Sequence, residues 1–323
     1  MDTKPSILIT GASGYVGSLL LQRIARQRGL FAAVTAFDVR PPSKASELPG
    51  VNYVVGDIRD DTLERALHAN PMDTVVHLAS IVTPTKEMTR AFACSVDVEG
   101  TRNVLQSCVG ANVKQIIVTS SGAAYGYYAD NPQPLTEDDA LRGNPEFAYS
   151  DHKRRVEEML ATFRRDQPGL RQLVFRVCTI LGEQTDNQIT DIFRKALITG
   201  IAGTETPFVF IWDQDLVECI VKGILDRAEG VYNVAGDGQV TLRQIARLIG
   251  KPYLAIPPSL LRSALWFFHK LGISQYGPEQ VNFLRYRPVL ANDRLKTRFG
   301  YAPRFSSREA FDNFAALNLR REI

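Results

Sequence analysis

No two of the four cysteines lie close enough together to suggest a metal centre or a disulfide framework. Cys94, Cys108, Cys178 and Cys219 are isolated among apolar neighbours, as expected of buried thiols in a reducing compartment. Lysine and arginine form no dense patch, and a net charge of +3 over 323 residues is small, so nothing points to a nucleic-acid partner. No apolar run is long enough to span a bilayer, and there is no internal repeat or low-complexity linker. The chain enters its first strand without a signal-type apolar segment, which makes the cytoplasm the expected location. What is present is 45% hydrophobic content, enough to bury a large core in one α/β domain with an extra lobe or in two domains.

The chain opens on a buried apolar strand, Ser6 to Thr10, followed by Gly11-Ala12-Ser13-Gly14-Tyr15-Val16-Gly17 and a helix over Tyr15 to Arg26. The three glycines serve different ends. Gly11 permits a tight turn, Gly14 lets backbone approach a pyrophosphate, and Gly17 lets helix and strand pack closely. The helix N-terminus then presents free N–H groups and a positive dipole end to phosphates. About twenty residues on, Asp38 ends the apolar run Phe31–Phe37, where a carboxylate accepts hydrogen bonds from a ribose and repels a 2′-phosphate. NAD is therefore expected over NADP, with Arg40 the group that could partly offset the repulsion.

Apolar strands then alternate with amphipathic helices. Val51–Val55, Thr74–Leu78, Gln115–Thr119, Gln172–Arg176 and later Gly230–Val234 read as strands of a Rossmann-type, doubly wound parallel sheet. Such sheets bind ligands at the carboxyl ends of their strands, which gathers Gly11, Asp38, Asp57, Ala79 and Ser120 onto one edge. Residues 1–180 are expected to form the cofactor domain and 181–323 a smaller, interleaved substrate lobe. Within that lobe, residues 259–271 read as a helix with Ser259 as cap and Gly272 just beyond its end. Core packing is its expected role, with a pocket wall, a subunit contact or a membrane-surface helix as alternatives.

The chemistry concentrates in Tyr149-Ser150-Asp151-His152-Lys153. A spacing of four puts Tyr149 and Lys153 on one helix face, so the ammonium can favour the ionised phenol and Tyr149 can exchange a proton with a substrate hydroxyl. His77 reads as a core or positioning histidine.

Taken in order, Thr10–Gly17, Asp38, Gly56-Asp57-Ile58, Val76-His77-Leu78-Ala79, Gly100–Leu105, Ser120-Ser121, Tyr149 with Lys153, and Phe208–Leu216 resemble the extended short-chain dehydrogenase/reductases, the NAD-dependent epimerases and dehydratases. The resemblance covers nearly the whole chain. It implies Ser121, Tyr149 and Lys153 as catalytic residues, Ser121 holding the substrate oxygen. It implies a cofactor site of Gly11, Ser13, Gly14, Tyr15, Val16, Gly17, Asp38, Asp57, Ile58, Leu78, Ala79, Ser80, Tyr149 and Lys153, and no metal. It also implies a homodimer through helices at about Thr89–Val109 and Tyr149–Arg165.

The departures narrow the chemistry. Gly122 and Ala123 stand where dehydratases carry an acidic pair, which disfavours loss of a hydroxyl. Asp97 replaces a common Asn, which puts any relay to Lys153 through that position in doubt. Thr179 and Phe208 replace an Asn and an Arg that contact a nucleoside diphosphate, leaving Arg176, Arg194 and Arg285 as other sources of charge. The primary expectation is an NAD-dependent oxidoreductase acting on a secondary alcohol or ketone of a carbohydrate-like or partly apolar small molecule. A nucleotide-sugar 4-epimerase is the close alternative, and a non-catalytic NAD-binding sensor or scaffold the alternative of another class.

Overall fold

The computed structural model describes residues 4–44, 47–82, 85, 87–270 and 280–319. Its strands are β1 (Ile7–Thr10), β2 (Val34–Asp38), β3 (Asn52–Val55), β4 (Thr74–His77), β5 (Gln115–Ser121), β6 (Arg171–Val177), β7 (Thr179–Leu181), β8 (Ile198–Ile201), β9 (Pro207–Phe208), β10 (Phe210–Trp212), β11 (Gly230–Val234), β12 (Val240–Thr241) and β13 (Tyr253–Ile256). Seven of them form one parallel sheet in the order β11-β6-β5-β4-β1-β2-β3. The chain winds outward from β1 to β3, then returns to lay β4 on the other side of β1. The order therefore reverses between β1 and β4, and a crevice opens beyond their carboxyl ends.

Helices cover both faces, which is why β1, β2 and β4 are buried along their whole length. Alternation along β1 assigns the faces: Ile7 and Ile9 pack with α1 (Tyr15–Arg26), whereas Leu8 points to the opposite layer. That layer holds α2 (Thr62–Ala69), α3 (Arg90–Cys94) running through a wider turn at Ser95–Gly100 into α4 (Thr101–Gly110), and α5 (Ala148–Asp166). After α6 (Gln188–Arg194), helix α7 (Asp213–Leu225) returns to the α1 face, burying Leu216, Val217 and Ile220 there. Segments past residue 180 thus serve both the sheet and a second cluster.

That second cluster is aromatic. Phe193, Phe208, Phe210, Phe311 and Phe314 form its centre, enclosed by α6, α8 (Leu242–Leu248) and α11 (Ser307–Asn318). Each of these helices begins with a reciprocal capping box: Asn187 with Thr190, Thr241 with Gln244, and Ser306 with Glu309.

Strand β2 takes in Asp38 as its last residue, at the end of the apolar run. One expectation needs correction. Helix α9 (Pro258–Lys270) starts at its proline, so Ser259 lies in the first turn and not at the cap; Leu271 and Gly272 lie outside the described residues. The helix is also not packed into a core on all sides, since Leu260, Trp266 and Phe267 are exposed. It contacts α10 (Gln280–Arg285). No helix among the described residues is long and apolar enough to cross a membrane.

Candidate active site

The glycine turn is dictated by the meeting of β1 and β4. Gly11 has φ +69°, and a Cβ there would lie 2.6 Å from the Ala79 nitrogen, so only glycine lets the two strand ends approach. A Cβ on Gly17 would collide with the Gly11 carbonyl oxygen, so this glycine sets how closely α1 sits on the sheet. Helix α1 has no side-chain cap at Gly14 and no acid in its first turn, which leaves its N–H groups and dipole available to an anion.

Asp38 is buried at the end of β2, where Oδ2 accepts a hydrogen bond from the Ser13 N–H (3.0 Å) and Oδ1 from the Arg40 N–H (2.9 Å). The Arg40 side chain is largely exposed, its Nε 3.4 Å from the same carboxylate. Asp57 is gripped by the Arg59 guanidinium, whose hydrogen bond holds its carboxyl below the usual range. Ile58 is buried and fills the space above Gly100, where a Cβ would lie 2.6 Å from its Cδ1.

A cavity of about 480 Å³ opens at the crevice. Of the residues expected at the site, Gly11, Gly14, Tyr15, Val16, Gly17, Leu78, Ser80, Ser121, Tyr149 and Lys153 line it together. Ser13, Asp38, Asp57, Ile58 and Ala79 do not line it: the first two pair beside the glycine turn, and Ala79 abuts Gly11. These surroundings fit a dinucleotide, given the glycine cradle, the uncapped helix end and a carboxylate at the second strand.

The Ser121 hydroxyl acts on the Tyr149 phenol as a hydrogen-bonding neighbour that favours its ionised form. Burial pushes the Tyr149 phenol up to about 12, against which the Ser121 hydrogen bond works, while the Asp97 charge adds to the rise. The Lys153 ammonium lies 5.6 Å from the Tyr149 ring centroid and donates to the Thr119 carbonyl oxygen (3.1 Å). Its pKa is itself lowered by burial, opposed by Asp97 and Glu157. In both groups burial is the leading cause, since desolvation disfavours the charged form of each.

The neighbouring serine is spoken for. Successive residues of a strand face opposite sides, and the Ser120 hydroxyl donates to Glu157 Oε1 at 2.6 Å. Glu157 also receives Arg176 (Nη2 to Oε2, 2.7 Å), and Arg176 continues to the Tyr125 hydroxyl and the Glu137 carbonyl. At the start of α5, Ser150 donates to the Ala123 carbonyl oxygen at 2.7 Å.

Asp97 is buried in the wide turn before α4, and its carboxylate is held by groups other than Lys153. Its Oδ2 meets His152 Nδ1 (3.0 Å), and its Oδ1 accepts from the Ser80 hydroxyl and the Ile81 N–H (2.9 Å each). Burial raises its pKa, but these bonds and the Lys153 charge bring it below the usual range. His77 is a positioning residue: Thr101 donates to the Asp97 carbonyl, so its oxygen accepts from His77 Nε2, and His77 Nδ1 accepts from Thr10. Burial, aided by the Lys153 charge, pushes His77 down to about 3, so it is neutral.

The lobe side of the cavity was not legible beforehand. Tyr15 reaches across it, its hydroxyl donating to Asp213 Oδ2 (2.5 Å) and meeting the Thr185 hydroxyl (2.9 Å). Arg287 lines the wall and connects the two departures: its guanidinium stacks on Phe208 at 4.3 Å, and Nη2 donates to Thr179 Oγ1 (3.3 Å). Nη1 is buried with no hydrogen-bond partner among the described residues. Of the arginines expected to supply charge, Arg176 is committed to Glu157, Arg194 to Asp186 and Asp191, and Arg285 stacks on Tyr286. Tyr127, Phe147 and Phe283 complete an aromatic wall.

A parallel doubly wound sheet with this glycine turn and this Ser-Tyr-Lys cluster defines a dinucleotide-dependent oxidoreductase of the extended short-chain type. Residues 7–235 match the NAD dependent epimerase/dehydratase family, and the chain belongs to that family as an NAD-dependent enzyme. It is similar to an uncharacterised protein of Mycobacterium tuberculosis, 24% identical over 315 residues, covering 95% of this chain and 82% of that one. It is also similar to the N-acetyl-α-D-glucosaminyl-diphospho-ditrans,octacis-undecaprenol 4-epimerase of Escherichia coli O157:H7, at 29% identity over 74% of this chain and 70% of the other. Among solved structures, the UDP-glucose 4-epimerase of Thermotoga maritima with UDP-glucose superposes with a TM-score of 0.74 at 19% identity, covering 97% of this chain and 98% of that one. The Bordetella bronchiseptica enzyme WbmG with NAD and UDP gives 0.75 at 18% identity, covering 99% and 96%.

Proposed function

We propose that the protein oxidises a secondary alcohol, or reduces the matching ketone, on a carbohydrate-like small molecule that carries an anionic group. The observation that carries this reading is the convergence of Ser121, Tyr149 and Lys153 on the cavity that also contains the glycine turn. In this reading Ser121 holds the carbinol oxygen, and Tyr149 takes its proton. Lys153 holds the nicotinamide ribose and opposes the cost of a buried phenolate. Bound NAD supplies the hydride acceptor. Asp38, supported by Ser13, reads the adenosine ribose, and α1 meets the pyrophosphate. Asp57 and Ile58 are assigned to the adenine end, with Ala79 as the backbone floor. We place the cofactor mainly on residues 1–180 and the substrate mainly on the later lobe.

Arg287 supplies the anionic specificity. Arg287 lines the cavity near Tyr127, Phe147 and Phe283, and its Nη1 has no hydrogen-bond partner among the described residues, so a phosphate or carboxylate bound beside it would complete its hydrogen bonds. This also favours a second reading, a 4-epimerase acting on a diphosphate-linked sugar, because the charge missing at Phe208 and Thr179 is restored from Arg287. The Escherichia coli relative is named for such a substrate. A homodimer through α3–α4 and α5 fits the exposed Phe92, and four unpaired cysteines fit a reducing cytoplasm.

The two readings separate on the fate of the reduced cofactor. Purified protein is incubated with NAD and UDP-glucose or UDP-galactose while NADH absorbance and the isomer ratio are followed. Stoichiometric NADH with an alcohol substrate supports the dehydrogenase; isomer interconversion without NADH build-up replaces it with the epimerase. Absence of both activities across anionic sugar alcohols, with NAD bound, would leave the sensor or scaffold reading.

A further inference from the structure

Between Asp237 and Glu279 the chain contains no aspartate or glutamate, yet it carries Arg243, Arg247, Lys251, Arg262 and Lys270. Helix α9 lies in this stretch. Its inner face, with Leu261, Ala264 and Leu265, is half-buried, while its outer face exposes Leu260 (62%), Trp266 (54%) and Phe267 (54%). Leu260 and Trp266 thus leave apolar surface on the outside of the helix, and such surface suits contact with another apolar phase.

The outer face is ordered by helical spacing. Leu260, Ser263, Phe267 and Lys270 follow one another on successive turns, with Trp266 beside them and Arg262 at the edge. Lys270 lies 5.0 Å from the Trp266 ring centroid, and Arg262 donates to Asn282 Oδ1 on α10 (3.1 Å). The face therefore combines an indole, aliphatic and phenyl surface with two cations and no acid.

We propose that this face of α9 docks on an anionic lipid surface. Large apolar side chains enter the boundary between headgroups and acyl chains, the indole sits at the interface, and Arg262 and Lys270 meet phosphate headgroups. A second copy fits less well, because a two-fold contact sets the same patch against itself and would oppose like charges with no acid to relieve them. At 13 residues, roughly 20 Å long, the helix lies on the surface and does not cross it. Since α9 packs on α10, and α10 contributes Phe283 to the cavity wall, docking sets the wall of the active site beside the lipid.

The chain has two tryptophans, Trp212, buried in the lobe, and Trp266, exposed, so emission changes on vesicle addition report chiefly on α9. The 323-residue chain is mixed with vesicles of phosphatidylglycerol and phosphatidylcholine in equal parts, or of phosphatidylcholine alone, and followed by co-sedimentation and emission wavelength. Binding to the anionic vesicles with a blue shift, at least tenfold stronger than to the neutral ones, is expected. Leu260→Ser with Trp266→Ser, and separately Arg262→Glu with Lys270→Glu, should each weaken sedimentation tenfold or more, with NAD affinity unchanged as the check on folding. The proposal is overturned if the wild-type protein ignores anionic vesicles at low salt, or if the double serine variant binds them equally well. It is also overturned if light scattering shows a dimer that the double serine variant dissociates, which would assign the face to a second copy.

Discussion

The two sides of the cavity are built by different means. On the cofactor side the constraints are backbone constraints: Gly11 against Ala79, Gly17 against Gly11, and the Ser13 N–H on Asp38. On the substrate side they are meetings of side chains from distant segments: Tyr15 with Thr185 and Asp213, and Arg287 with Thr179 and Phe208. A backbone constraint restricts which residue can stand at a position. A convergence of side chains leaves each residue locally ordinary, so the first kind of site can be read from a sequence and the second cannot.

The comparison breaks most sharply at the residue between the two sides. Tyr149→Phe is expected to lower turnover by roughly 10² to 10⁴, the usual contribution of a positioned acid or base, with NAD affinity within a few-fold. Turnover near that of the wild type would move the chemistry elsewhere in the cavity. Arg287→Met tests the substrate side alone. It should reduce kcat/KM for an anionic substrate by roughly 10 to 100-fold, as loss of a charged hydrogen bond does, and leave the NAD dissociation constant unchanged. A matching loss with an uncharged alcohol would show that the arginine only supports the fold.

The third test addresses the scaffold on the cofactor side. His77 is neutral in the folded protein because its pKa is near 3, whereas in the unfolded chain it titrates near the ordinary histidine value of 6.5. Between these values the unfolded state binds the extra proton, so this contribution is intact above about pH 6.5 and is lost as pH falls toward 3. Denaturant unfolding at about pH 7.5 and about pH 4.5 should show His77→Gln with a pH-dependent loss about 2 kcal/mol smaller than the wild type's, at about 1.36 kcal/mol per pKa unit. An unchanged pH difference would mean the histidine is not the group that resists protonation. The smallest effect belongs to Asp38→Ala, which should narrow the preference for NAD over NADP by a few-fold in a titration with both. A wild-type preference for NADP would transfer the reading of the ribose to Arg40.

Much of the cofactor side was legible because strand, glycine spacing and acid follow each other within one βαβ unit. The sheet was legible for a related reason: strands buried on both faces stand out as continuous apolar runs. Ser121 could be told from Ser120 only by resemblance, since side alternation distinguishes the two but does not say which faces the ligand. Arg287 had no local mark, being one of several arginines near the end of the chain. The high phenol pKa of Tyr149 was also out of reach, because a four-residue spacing reveals a neighbouring charge but not how much water burial removes. For helix α9 the sequence marks the element but not its surroundings: apolar content predicts a need for cover but not whether the same chain provides it.

Ser120, the serine that does not face the substrate space, has its own consequence. Through Glu157 it fastens β5 to α5, and Ser150 fastens the start of the same helix to the turn after β5. Each of these two serines is the sequence neighbour of a proposed reacting residue, Ser121 or Tyr149. The interval between the reacting oxygens is thus gauged by a frame that exists before any ligand arrives. Ordering the two groups is completed when the chain folds, and the entropy of aligning them is not spent again in each catalytic cycle.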